Sequence, residues 1–345
     1  MSPDEADGDD WRSVSTRAPD KETIRIAQER AREPGHGRSA AKPTEIPALG
    51  WRDILMRVFW AVPQDRVLST AGGVAFFTLL STFPGIATIV SLYSLFANPE
   101  VIGQHLSVLQ GVLPSGVIDL FADQLRHVAK QGAGTLSTAS LISFLIAFWS
   151  ANSGVNALFD ALNVIYKERE KRSLIRLYLT TFLFTLSGAL VTVAAIAMVV
   201  GLPIVLSQIG LAARTDTLLR IIRWPALLIL VSLGLSLVYR YGPSRRTAKW
   251  RWVSWGSAVA AVGWVGTSVA FSLYVATFDS YNRIYGSLGA GIGFMTWIWL
   301  SIVIVLLGAE LNSEMERQTA RDSTVGRPKP LGSRKAFAAD TVGPP

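Results

Sequence analysis

Residues 284–309, IYGSLGAGIGFMTWIWLSIVIVLLGA, run without a charge from Arg283 to Glu310. About 20 apolar residues in a helix rising about 1.5 Å per residue cover the roughly 30 Å of bilayer hydrocarbon. This stretch of 26 is long enough to span. Working outward, five more charge-poor stretches are bracketed by Arg66 and Glu100, Lys130 and Asp160, Arg176 and Arg214, Arg223 and Arg240, and Arg251 and Asp279. The one after Arg223 holds only 16 uncharged residues, and reaches span length if Ile221 and Ile222 join it and Arg223 snorkels outward. The pattern predicts an all-α polytopic membrane protein with six transmembrane helices near 67–97, 135–159, 174–206, 221–241, 252–278 and 287–311.

The distribution of charge excludes a soluble chain. The 246 residues from Val67 to Asn312 hold 25 charged side chains, and the remaining 99 of the 345 hold the other 33. A soluble domain carries about a quarter charged residues throughout. Cysteine is absent and the histidines are His36, His105 and His127, which excludes disulfides, thiolate chemistry and cysteine zinc sites. The opening MSPDEADGDDWRS is acidic with no apolar core, so the first hydrophobic helix is expected to serve as both signal and anchor.

Lysine and arginine set the orientation. The loops at 160–176 and 240–251 carry five each, the segment to Arg66 carries 11 and the C-terminal tail six. The intervening loops carry two, three and one. By the positive-inside rule both termini are expected in the cytoplasm. The basic pI near 9.9 is then a topology signal, and nucleic acid is not an expected partner.

Outside the spans, residues 1–48 mix charge with Pro and Gly and read as a disordered tail. Residues 49–64 place Trp51, Ile54, Leu55, Val58, Phe59 and Val62 on one helical stripe, with Arg52, Asp53 and Arg57 away from it. That predicts an interfacial helix in the headgroup plane. The outer loop 98–134 carries two similar faces around Pro114, as an amphipathic cap. Residues 313–345 are expected to form a cytoplasmic tail.

Asn152, Asn156, Asp160 and Asn163 recur at i, i+4, i+8 and i+11, one face of the second span. The stripe either lines a cytoplasm-facing polar cavity or bonds helices together. Pro84 and Gly85 interrupt the long first span, as a helix break exposing backbone or as a plain kink. Asp279, Asn282 and Arg283 could hold a headgroup or cap helix ends. Gly289 and Gly293 form a G-x-x-x-G that permits close helix approach. Glu310, just inside the inner interface, could couple a proton or pair with a basic loop. Neither a metal set nor a cofactor motif is evident, and no G-x-x-x-x-G-K-[ST] loop occurs.

The segments WRDILMRVF with AGGVAFFTLLSTFPG, WSANSGVNALFDALNVIY, and SLYVATFDSYNRIYGSLGAGIGFMTWIWLSIVIVLLGAELNSEME resemble the YihY/virulence factor BrkB family of bacterial inner-membrane proteins, from about Trp51 to Glu316. The resemblance implies a six-helix core. Members look like transporters of unassigned substrate, and some have carried a ribonuclease label. A hydrolytic nuclease needs a metal held by His and carboxylates, or a His acid/base pair. The scattered histidines here argue against it, so the chain is not expected to be an enzyme. The leading expectation is a transporter or flippase-like protein for a lipid or amphipathic envelope precursor. The alternative is a scaffold binding membrane lipids and envelope-assembly proteins. Oligomeric state is not legible.

Overall fold

Long apolar runs bounded by charge satisfy their backbone internally as helices, and the computed structural model shows them as such, describing residues 19–93, 138–196, 212–277 and 287–345. In chain order these are α1 (Lys21–Arg30), α2 (Ala48–Gln64), α3 (Val67–Tyr93), α4 (Thr138–Ile165), α5 (Leu174–Ile196), α6 (Ala212–Tyr241), α7 (Trp250–Thr277), α8 (Ser287–Glu316) and α9 (Phe337–Asp340). The described residues contain no strand, only an isolated antiparallel bridge between Ala248 and Thr324. Among the described residues three stretches are long and apolar enough to cross a membrane, Leu174–Thr192, Trp250–Val275 and Gly291–Glu316. Shorter apolar helices lie at Val67–Thr82 and Pro225–Tyr241. The large side chains of α5 point outward: Leu174, Ile175, Leu179 and Leu190 are all exposed. Such a helix needs an apolar solvent around it.

α8 is the hub, touching α2, α3, α4 and α7. Its packing is tightest near its C-terminal end, where Val67, Leu162, Ile165, Tyr239, Val253, Leu306 and Ala309 form one buried cluster. Here α7 and α8 cross at Gly256 and Gly308. A Cβ on Gly308 would lie 2.7 Å from both the Gly256 carbonyl and the Tyr239 hydroxyl, so nothing larger than glycine fits. Asn312 fastens the crossing by accepting from the Gly256 N–H at 2.9 Å and donating to the Val253 carbonyl at 3.1 Å.

Several expectations are corrected. Gly293, named from the sequence as a close-packing glycine with Gly289, has no atom of the described residues within 4 Å of where a Cβ would lie. The spacing was right for an approach, but the approach occurs further along the same helix. Pro84 and Gly85 do not end α3, which runs from Val67 to Tyr93. Just before them Thr78, Ser81 and Thr82 return their hydroxyls to backbone carbonyls of the same helix. The outer cap 98–134 and the trio Asp279, Asn282 and Arg283 lie outside the described residues.

The tails are also more ordered than their composition suggests. Residues 19–48, read as disordered, hold α1, N-capped by the Asp20 carboxylate at 2.8 Å from the Thr23 N–H. Residues 313–345 form a layer across the same end of the bundle: Gln318, Thr319, Ser323 and Thr324 are wholly buried. Arg334 organises this layer by donating to the carbonyls of Lys329, Ala339 and Ala320. Polar composition hid this order because the layer is tied by hydrogen bonds to loops far away in sequence rather than by an apolar stripe.

In α2, Asp53 and Arg57 do not point away from the protein. Asp53 is buried beside His36, and Arg57 donates to Glu314. The outward face is instead Leu55, Met56, Phe59 and Trp60, all more than half exposed. A helix offering these side chains outward suits the headgroup plane.

Candidate functional site

The polar stripe of α4 divides along its length. Asn152 accepts a long hydrogen bond from Thr185 of α5 at 3.4 Å, which joins helices. Asn156, one turn on, leaves its Oδ1 buried with no partner. Asp160, toward the cytoplasmic end expected for the stripe, is exposed. Asn163 is buried and structural: it accepts from the Ser244 N–H at 2.7 Å and donates to Glu170 at 3.1 Å. Only Asn156 keeps an uncommitted buried group. Helical periodicity placed four residues on one face, but the neighbours of α4 cover that face unevenly.

The same region holds the charge network that sequence reading missed. Asp65 closes α2, immediately before α3, and Arg66 beside it takes a left-handed backbone with φ 50°. That sharp joint turns the Asp65 side chain toward α8, where it meets Glu310 in hydrogen-bond contact. Glu310 is 1% exposed. Asp65 Oδ2 and Glu310 Oε1 are each buried without a donor. Two carboxyls in contact away from water cannot both ionise, and a proton shared between them satisfies the pair. Burial pushes the Asp65 carboxyl above the ordinary carboxylate range, opposed by the nearby Lys167. Glu314 and Arg317 are the other charges facing the pair.

One turn further along α8, Glu314 is fully committed, pairing with Arg57 of α2 and with Arg317. Arg57 also donates to Gln318 Oε1 and the Pro344 carbonyl, both at 2.6 Å, so α2 is stapled to α8 and to the C-terminal layer. Glu316 pairs with Arg245 at 2.6 Å, both side chains 0% exposed. Burial works against the Arg245 charge, but Glu316 and the Tyr166 ring 4.2 Å beneath it hold the guanidinium above its usual pKa. In the α4–α5 loop burial alone would raise Glu170, but Arg172 and Asn163 outweigh it and bring the carboxyl down to about 2.

Of the residues expected to line a cavity, Asn156 and Glu310 keep uncommitted buried atoms, while Asn152 and Asn163 are bonded and Asp160 faces out. Asp65 was overlooked because it lies in a charged linker, PQDRV, that looks like an ordinary solvated turn. The only signal was its position at the mouth of the first apolar run. Among the described residues no three His, Asp or Glu side chains gather as a metal set.

Comparison with known proteins adds identity to this geometry. The virulence factor BrkB family model matches residues 58–331. The ribonuclease-like protein YfkH of Bacillus subtilis is 30% identical over 260 residues, covering 72% of this chain and 90% of that protein. A UPF0761 membrane protein of Vibrio parahaemolyticus is 28% identical over 258 residues, 74% of this chain and 79% of its own length. One from Ralstonia nicotianae is 25% identical over 256 residues but only 55% of that longer chain is covered. No solved structure matches.

Proposed function

The chain belongs to the virulence factor BrkB family of membrane proteins, and from that premise we propose that it moves a lipid or an amphipathic envelope precursor across the bacterial inner membrane under control of a proton. In this reading it has six spans, α3 to α8, with both termini in the cytoplasm. One observation carries it: the Asp65–Glu310 pair, two buried carboxyls with orphaned oxygens at the entrance of the first apolar helix. Ionisable groups at such depth are costly, and they mark proton relays in transporters. The uncommitted Asn156 Oδ1 supplies a polar contact deeper in the same bundle.

The second reading, a scaffold for envelope assembly, is favoured by the Asn152–Thr185 bond and by the ordered layer that both tails build. Reconstitution separates the two. Liposomes containing the protein and a fluorescent phospholipid would be exposed to a membrane-impermeant quencher, with protein-free vesicles as baseline. Accelerated quenching that is lost in folded Asn156→Leu and loses its pH dependence in Glu310→Gln is expected. Quenching at the protein-free rate by folded wild type would sink translocation of that lipid and favour the scaffold. The ribonuclease-like name of the Bacillus relative suggests another class, and we read this chain as a non-enzyme. Cleavage of a labelled RNA oligonucleotide by the purified protein would overturn that.

A further inference from the structure

A cavity of ≈ 720 Å³ opens beside the charge network, between the α4–α5 loop, the α6–α7 loop and the C-terminal layer. The size is that of a small-molecule site, typically about 300–1,000 Å³. Nine Lys and Arg residues line it against two carboxylates, Glu168 and Asp340.

Most of the compensation is already spoken for. Lys171 pairs with Glu168, Arg172 with Glu170 and Arg245 with Glu316. Asp340 is consumed by the backbone N–H groups of Gly332 and Arg334. Arg169, Arg176, Arg246 and Lys335 form no ion pair among the described residues. Buried guanidinium nitrogens add to the deficit: Arg240 Nε, Arg245 Nε and Arg246 Nη1 have no acceptor. Water can satisfy the exposed Arg169, Arg176 and Lys335, but a buried donor needs an acceptor, so the three guanidinium nitrogens carry the deficit.

The backbone is strained at the same place. Three non-glycine residues among those described have positive φ, and two of them, Lys167 (54°) and Lys335 (58°), line this cavity. Left-handed backbone is disfavoured for a side chain with a Cβ and persists where surroundings impose it, commonly at ligand sites. The bonds that impose it here run between the walls. The Arg246 N–H donates to the Lys335 carbonyl at 3.1 Å and the Phe337 N–H to Glu168 at 2.7 Å. The backbone of two cationic residues, one from a loop and one from the tail, is thereby held in the lining of one cavity.

We propose that this cavity binds a ligand carrying two neighbouring phosphate groups. Guanidinium forks and ammonium groups match phosphate oxygens, and several uncompensated cations call for more negative charge than one carboxylate supplies. The walls form a half-open pocket of small-molecule size rather than an extended basic face, which sets it apart from an RNA surface. Two sources share this chemistry, a lipid headgroup that carries two phosphates and a free diphosphate. Nearby Leu174, Ile175 and Trp250 are exposed, and Arg240 lies 4.4 Å over the Trp250 ring, as expected where loops meet an interface. Binding here requires nothing of translocation, so the two proposals fail separately.

The test uses the full chain in phosphatidylcholine nanodiscs, with and without cardiolipin, and measures retained lipid by native mass spectrometry and inorganic pyrophosphate binding by calorimetry. Cardiolipin retained at one per chain and displaced by pyrophosphate supports the site with a lipid as its source. Pyrophosphate binding without cardiolipin retention supports it with a free ligand. Affinity should fall about fivefold in Arg169→Gln, and about a hundredfold in the triple variant Arg169→Gln, Arg176→Gln, Lys335→Gln. These three side chains are exposed, so the fold should survive, and the single variant answers if the triple does not. Binding of neither probe, equal binding by the variants, or binding of a short RNA alone would overturn the proposal.

Discussion

Glu310 and Glu316 stand six residues apart at the end of one helix, both almost wholly buried, and differ in the company they keep. Glu316 accepts two hydrogen bonds from Arg245, at 2.6 and 3.1 Å, and a third from Ser323 at 2.7 Å. Glu310 meets a second carboxyl, Asp65, and one oxygen on each is left without a donor. A buried carboxylate facing a well-bonded cation is a fixed structural charge. A buried carboxyl facing another must hold a proton, and so becomes sensitive to pH. Burial alone therefore says little about role; the partner decides it.

The comparison breaks most visibly at Arg245. Arg245→Met strands Glu316 as an unpaired buried charge, with an expected loss of about 3–5 kcal/mol. Thermal melting of the detergent-solubilised protein, followed by tryptophan fluorescence, would show a large fall or no folded protein. If Arg245→Met melts like wild type, Glu316 is not fixed in the sense argued here. Smaller is Gly308→Ala, at the crossing that holds both carboxylates in place, expected to cost about 1–3 kcal/mol through overpacking. Its companion on the same helix, Gly293→Ala, should change stability by less than about 0.5 kcal/mol.

Two pH effects of opposite sign sharpen the contrast further. Asp65 has its pKa raised in the folded state, so its contribution is present below the ordinary carboxylate range and is lost as pH rises through the folded value. The melting temperature should decline on that alkaline side, and Asp65→Asn should flatten the decline; an unchanged slope would refute the shared proton. Glu170 is lowered to about 2, so its stabilisation is complete above the unfolded value and disappears as pH falls toward about 2. Because the group is partly exposed, the effect is screened and should be the smallest of the set. Glu170→Gln should remove that part of the acid limb, measured by acid titration of the same fluorescence signal.

Much of the fold was legible because hydrophobic runs and their bracketing charges are local. The run 284–309 needed no partner to be read as a helix, and α8 covers most of it. The candidate site was legible only in part. Glu310 stood out as a carboxylate ending an apolar run, but Asp65, 245 positions earlier, looked like any turn residue. The asparagine stripe was correctly placed on one helical face, yet only neighbouring helices could assign Asn152 to Thr185, leave Asn156 open and turn Asp160 outward.

The sequence by itself determined the helical class, the membrane character and the alternation of basic with less basic loops, because length, apolarity and charge position act residue by residue. Tertiary structure alone decided which charges are paired and which are left wanting. It set Asp65 against Glu310, gave Glu316 its arginine, and folded two polar tails over the ends of the helices to enclose a basic cavity. The physical reason is that the cost of a buried charge depends on what lies within a few ångströms, and those neighbours come from segments far apart in the chain, 71 residues for Arg245 and Glu316.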